Sequence, residues 1–235
     1  MKSINNLKYW SVGLTATITL IIFLFFTITQ AVIVAAFAYL YPESSYEYLA
    51  YSNLGVISIG SSIIGFFVLA GFIRLKNNSI QAYLNIFKPK SKVIIVFLML
   101  SFFLMLILEL ISAQYPHLFE TDFAIKSYKE ANSLPLFYLG VVFFGPVFEE
   151  CLFRGFLFKG LEQSFLGGHG AVFVSSILFA LVHIQYGIPI LLFMLLPFSI
   201  LLGYSRLKSG SLLLPILIHI INNFITCIIT HSEVY

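Results

Sequence analysis

Between Val12 and Leu40 the chain carries no charged side chain, and apolar runs of similar character follow at Leu54–Leu75, Val93–Ala113, Leu134–Phe158, Ala171–Tyr186, Ile188–Tyr204 and Leu212–Thr230. Most are close to the ~20 residues that cross a bilayer as a helix. In lipid every backbone polar group must pair internally, and a helix does this within one segment. The mean hydropathy is +0.98 and only 10% of residues are charged, against roughly a quarter in soluble domains. The chain therefore predicts an all-α, polytopic transmembrane helical bundle of about seven spans, or eight if the long first run folds as two helices. The fifth and sixth spans are short and separated only by Gly187, which predicts a tight hairpin. Pro197 predicts a kink in the sixth. No repeat or low-complexity linker divides the chain, so residues 1–235 read as a single membrane domain.

Several classes fall away. Lys2 and Lys8 ahead of an apolar run, with Ala36-Phe37-Ala38 near its end, have the outline of a signal peptide. The run is about twice a signal core of 7–15 residues, so a retained first helix is expected. The basic residues are scattered among loops and predict no nucleic-acid partner. Cys151 and Cys227 both lie in apolar runs and form no disulfide framework. A thiol nucleophile at Cys151 is a weak candidate.

Seven spans put the termini on opposite sides, and loop charge sets which is which. Lys2, Lys8, Arg74, Lys76, Lys88, Lys90, Lys92, Arg154, Lys159, Arg206 and Lys208 all fall toward one side, eleven of the thirteen basic residues. Only Lys126 and Lys129 fall on the other, among Glu120, Asp122 and Glu130. The expectation is a cytoplasmic N-terminus, an external C-terminus, and a multi-pass protein of a bacterial plasma membrane.

Polar residues inside the spans are costly and mark functional candidates. Glu149 and Glu150 are adjacent in Gly145-Pro146-Val147-Phe148-Glu149-Glu150-Cys151-Leu152-Phe153-Arg154. On a helix Glu150 and Arg154 are four apart and pair, whereas Glu149 projects about 100° away. The bland reading is a salt bridge where the helix leaves the membrane. The sharper one is a carboxylate beside a charge pair but not neutralised by it. Phe179 and His183 share a helical face in the fifth span, as do His219 and Asn223 in the seventh. Counted at 1.5 Å per residue, Glu149 and His219 each lie about 15 Å from the basic end, and His183 about 20 Å. One buried layer can therefore hold them all. Such a set suits acyl-bond hydrolysis: a carboxylate takes a proton from water, and His and Asn donate to an oxyanion. The same His, His, Glu set could bind zinc. Asp122 is the only aspartate, which excludes an aspartyl dyad, and neither His-Glu-x-x-His nor Gly-x-Ser-Gly occurs.

These residues resemble the CPBP family, which comprises type II CAAX prenyl endopeptidases and bacteriocin-processing or immunity proteins. Its Glu-Glu-x-x-x-Arg motif matches Glu149, Glu150 and Arg154, with Gly155 and Leu157 following. Its Phe-x-x-x-His motif matches Phe179 and His183; its His-x-x-x-Asn/Asp motif matches His219 and Asn223, after Gly210-Ser211-Leu212. The likeness covers roughly residues 135–225, the expected catalytic core, and leaves about 10–113 as accessory helices. It implies an intramembrane endopeptidase in which Glu149 activates water with help from His183. His219 and Asn223 stabilise the oxyanion, while Glu150, Arg154 and Phe179 support the site. It implies no cofactor, with zinc left open by the residues themselves. It also implies a membrane-anchored peptide or protein substrate within the lipid bilayer, without carrying over the prenylated substrate. Two other readings stand beside it: a non-proteolytic immunity or scaffold member binding a peptide or envelope protein, and a small transporter using Glu and His as a proton relay.

Overall fold

The apolar runs fold as helices over nearly the expected bounds. In the computed structural model, which describes residues 7–119 and 122–234, these are α1 (Val12–Leu40), α2 (Leu54–Leu75), α3 (Ser91–Gln114), α4 (Leu134–Glu162), α5 (Gly167–Leu181), α6 (Ile188–Ser209) and α7 (Leu213–Val234). Lys2 and Glu120, both used in the charge argument, lie outside the described residues. Six of the helices are long and apolar enough to cross a membrane; α5, at 15 residues, is not. The chain is a multi-pass helical membrane protein.

The fifth span corrects the expected Ala171–Tyr186. Helix α5 stops at Leu181, and the chain turns through His183 and a short 3-10 segment, Ile184–Tyr186. Gly187 then adopts φ 90°, a left-handed region open mainly to glycine. Pro189 follows at the second position of α6, where its missing N–H costs nothing. Helix α5 is thus only about 22 Å long, shorter than the ~30 Å hydrocarbon core. The hairpin with α6 is present.

Helix α4 is the centre. Every residue from Glu150 to Leu161 is buried, so this stretch is apolar on all sides but for its charged exceptions, as expected of a helix enclosed by others. The α1–α2 pair packs on one flank and the α5–α6 hairpin on the other. Ile22, Leu69, Ile73, Leu152, Phe156 and Phe158 meet there at 0% exposure. Helices α2 and α4 touch backbone to backbone at Gly55 and Gly140: a Cβ on Gly140 would stand 2.5 Å from the Gly55 carbonyl oxygen. Between membrane helices such small residues let the backbones approach. Helix α3 is peripheral, with Phe97 and Ser101 buried and Ile95, Met99, Phe102 and Leu110 facing outward.

Two proline sites share one device. Pro146 follows a π-helical turn over Leu139–Phe144, and Pro197 follows another over Leu191–Leu195. A proline ring clashes with the carbonyl four residues back. Those carbonyls belong to Val142 and Phe193, inside the two widened turns. At Pro197 a π turn precedes the proline, and helix α6 continues beyond it to Ser209.

The charge tally also needs correcting. Arg154 and Arg206, assigned to loops, are buried within α4 and α6 at 0% and 2% exposure. The end of the bundle is instead marked by an interfacial belt. Lys76 Nζ lies 4.3 Å from the Trp10 ring and Lys159 pairs with Glu162 at 2.8 Å. Trp and Lys at helix ends are anchors of this kind.

Candidate active site

The Glu149-Glu150 pair sits in one regular helical turn, Gly145–Glu150, between two π-helical segments, Leu139–Phe144 and Cys151–Leu157. π turns inside α-helices concentrate at functional sites. The two carboxylates diverge from this turn toward different neighbours.

Glu150 points into the bundle. Its Oε1 accepts from Arg154 Nη1 and from His219 Nδ1, each at 3.0 Å. The predicted pair is therefore real, and it is a buried site element at 0% exposure on both sides, not a salt bridge at the membrane edge. Arg154 is held further by the Ser199 hydroxyl at 2.5 Å and carbonyl at 3.1 Å. Its guanidinium lies 4.3 Å from the Phe179 ring centroid, a cation–π arrangement strengthened by burial. Arg206 Nε donates to the Arg154 carbonyl at 3.0 Å. Ser199 in turn donates to the Ser176 carbonyl at 3.3 Å. Helices α4, α5, α6 and α7 thus meet at one knot.

Glu149 points toward the two histidines. Its Oε2 stands 3.9 Å from His183 Nε2 and 3.9 Å from His219 Nε2. Both imidazoles are oriented from behind. His219 donates through Nδ1 to Glu150, and Phe179 and Phe198 each stand 5.7 Å from its ring. His183 donates through Nδ1 to the Phe179 carbonyl at 2.8 Å. That carbonyl belongs to the last turn of α5, where helix ends leave acceptors without partners. The Phe-x-x-x-His spacing therefore works as a side-chain cap on a helix that has stopped, rather than as two residues on one continuous face. With each Nδ1 committed, both Nε2 atoms face the same carboxylate. Side-chain exposure is 21% for Glu149, 19% for His183 and 6% for His219.

Asn223 lies one turn beyond His219, and its amide donates to the Val141 carbonyl at 3.0 Å. The reason is local. In the π turn, Gly145 N–H donates to the Gly140 carbonyl, five residues back. In that register the next donor, for Val141, is Pro146, which has no N–H. Asn223 supplies the missing hydrogen from α7, and one of its two amide hydrogens is spent there. The Ser58 hydroxyl of α2 likewise donates to the Gly140 carbonyl, at 3.0 Å.

The structure thus brings Glu149, Glu150, Arg154, Phe179, His183 and His219 into contact, and sets Asn223 against the backbone of α4. The sequence reading missed Ser199, Ser176, Phe198, Arg206 and Ser58. A weak signal existed for Ser199, a lone hydroxyl in the apolar run Leu195–Leu202 beside Pro197. Nothing marks which carbonyls Ser58 and Ser176 would meet. Chemically, the arrangement places one partly accessible carboxylate between two oriented ring nitrogens. Its neighbour and a cation are locked behind.

Residues 131–225 match the family model described as type II CAAX prenyl endopeptidase Rce1-like. UPF0177 protein YbdJ of Lactococcus lactis subsp. lactis (strain IL1403) is 25% identical over 193 residues, spanning 79% of this chain and 81% of that protein. No solved structure matches the chain. The three motifs fall inside the matched segment, so the membrane-embedded region that builds this cluster is similar to the Rce1-like type II CAAX prenyl endopeptidases.

Proposed function

We propose that the protein is an intramembrane endopeptidase in which Glu149 is the general base. The observation that carries this reading is the convergence of His183 Nε2 and His219 Nε2 on Glu149 Oε2 at 3.9 Å each. That separation exceeds a direct hydrogen bond but suits a water held by all three atoms. Glu149 takes a proton from this water, and the resulting hydroxide attacks the substrate carbonyl carbon. The proton then passes to the leaving amine as the C–N bond breaks. His183 holds the water. His219 faces the developing oxyanion, and the second amide hydrogen of Asn223 is the other donor. His219 Nδ1 is engaged by Glu150, which leaves its Nε2 turned to the reacting groups.

Substrates are membrane-anchored peptide segments that open near the site, because a peptide bond inside a helical hydrogen-bond ladder is poorly exposed to water. The lysine-rich end is cytoplasmic, by the charge bias. A cytoplasm-dependent reporter fused within the Arg74–Lys92 loop is active in this orientation; silence there refutes it. The deciding experiment compares membrane peptides by mass spectrometry in cells expressing wild-type or Glu149→Gln protein. Peptides that accumulate only with the wild type support proteolysis. Identical profiles, with both proteins folded, favour the binding or immunity reading.

In this reading the reaction uses no metal. The purified protein should carry no stoichiometric zinc and keep its activity after dialysis against a strong chelator. One zinc per chain, lost in His183→Ala, would make Glu149 a ligand instead.

A further inference from the structure

Away from the active site, at the lysine-rich end of the bundle, a cleft of about 270 Å³ opens between the start of α3 and the start of α7. Its lining is Pro89, Ile94, Leu213, Leu214 and Leu217, with Lys88 as the one charged contributor. Pro89 and Leu214 are buried, whereas Leu213 and Leu217 are 38% and 39% exposed.

The two loops beside the cleft are tied together. Asn85 donates to the Gly210 carbonyl at 3.2 Å, Leu212 N–H donates to the Asn85 carbonyl at 3.1 Å, and the Ser211 hydroxyl bonds the Phe87 carbonyl. The cleft is thus fixed by hydrogen bonds rather than by a chance arrangement of side chains.

Its rim is cationic and has free donors. Lys88, Lys90 and Lys92 are all exposed, and the sequence holds no acidic residue from Lys76 to Leu108. Helix α3, 24 residues long, begins here with Lys90 at its N-cap and no side-chain cap. The first backbone N–H groups of a helix and its positive dipole end favour an anion. An apolar slot running along two membrane helices, with three lysines and an uncapped helix N-terminus at its mouth, matches a molecule with a hydrocarbon chain and an anionic head.

We propose that this cleft binds an anionic phospholipid of the surrounding leaflet. One acyl chain lies against Ile94, Leu213 and Leu217, and the phosphate meets Lys88 and the first turn of α3. A basic pocket between membrane helices is a known way of retaining such head groups. The inference is independent of the proteolytic reading.

The test uses the full chain purified in a neutral detergent, with dioleoyl phosphatidylglycerol or dioleoyl phosphatidylcholine added. Lipid retention is read by native mass spectrometry, and thermal unfolding is followed in parallel. The wild type should retain one phosphatidylglycerol per chain in preference to phosphatidylcholine and unfold at higher temperature with it. Lys88→Gln, at an exposed position, should weaken phosphatidylglycerol retention about fivefold, as expected for one lysine at a membrane surface. Leu217→Trp should fill the slot and remove retention of both lipids. Arg74→Gln, on the same end but at the terminus of α2, should change nothing. Equal retention of the two lipids by wild type overturns the proposal. So does an Arg74→Gln loss as large as that of Lys88→Gln, which would mark diffuse surface charge. A wild-type dimer that Leu217→Trp dissociates would place a second copy in the cleft and also overturn it.

Discussion

Glu149 and Glu150 are neighbours in sequence and differ in nearly everything else. Glu150 is at 0% exposure, with one oxygen shared between Arg154 and His219. Glu149 is 21% exposed, and the nearest cationic or imidazole nitrogens stand 3.9 Å away. The 100° step of one helical residue separates them, and the neighbouring helices convert that step into two environments. One is a sealed electrostatic knot joining four helices. The other is a face where a carboxylate is aimed but left uncommitted. A buried ion pair contributes little net stability but is expensive to break. The first carboxylate is tied into the packing of four helices, and the second is the one the proposed reaction uses.

The largest effect expected from breaking this contrast is on rate. Glu149→Gln keeps the side chain's shape and removes the base, so hydrolysis should fall by about 10²–10⁴ or more, with thermal unfolding unchanged. A folded Glu149→Gln protein that cleaves like wild type ends the assignment. Next comes Arg154→Met, which leaves Glu150 buried without its cation. A loss of about 3–5 kcal/mol is the usual scale for such a change, and unfolding in detergent will show it. If Arg154→Met is as stable as wild type, the sealed knot is not what holds α4, α5, α6 and α7 together.

A smaller effect separates geometry from chemistry at Asn223. Asn223→Ala strips the Val141 carbonyl of its donor, a change of about 1–3 kcal/mol. Pro146→Ala restores a backbone N–H, so in that background Asn223→Ala should cost less. The double-mutant cycle measures this coupling. Loss of rate with no loss of stability, and no relief by Pro146→Ala, would leave Asn223 only its role toward the reacting groups and remove the one assigned to its bond with Val141.

Much of the site was legible from spacing alone. Glu150 and Arg154 at four residues pair as a helix requires, and the depth count brought Glu149 and His219 to one layer. That count presumed regular helices, and the helices are not regular throughout. His183 lies beyond the end of α5, and a π turn precedes Pro197. Where a helix stops or widens depends on which carbonyls find other donors, and those donors sit on other elements. His183 caps Phe179 within its own hairpin, but Asn223 and Ser58 reach Val141 and Gly140 from α7 and α2.

By itself the sequence determined the class of solvent, the helical architecture, nearly all the helix bounds and three motifs. Length, hydropathy and residue spacing are local quantities, and backbone pairing in lipid leaves little else for such runs to do. Only the tertiary structure decided that Arg154 and Arg206 are interior residues and not loop charges. It also decided that Ser199 is a partner of Arg154, that both imidazoles turn Nε2 toward Glu149, and that a slot opens beside Lys88. Each of these depends on a partner far along the chain: 45 residues from Arg154 to Ser199 and 69 from Glu150 to His219. Side-chain hydrogen bonds across such separations are set by packing, and no one-dimensional pattern records them.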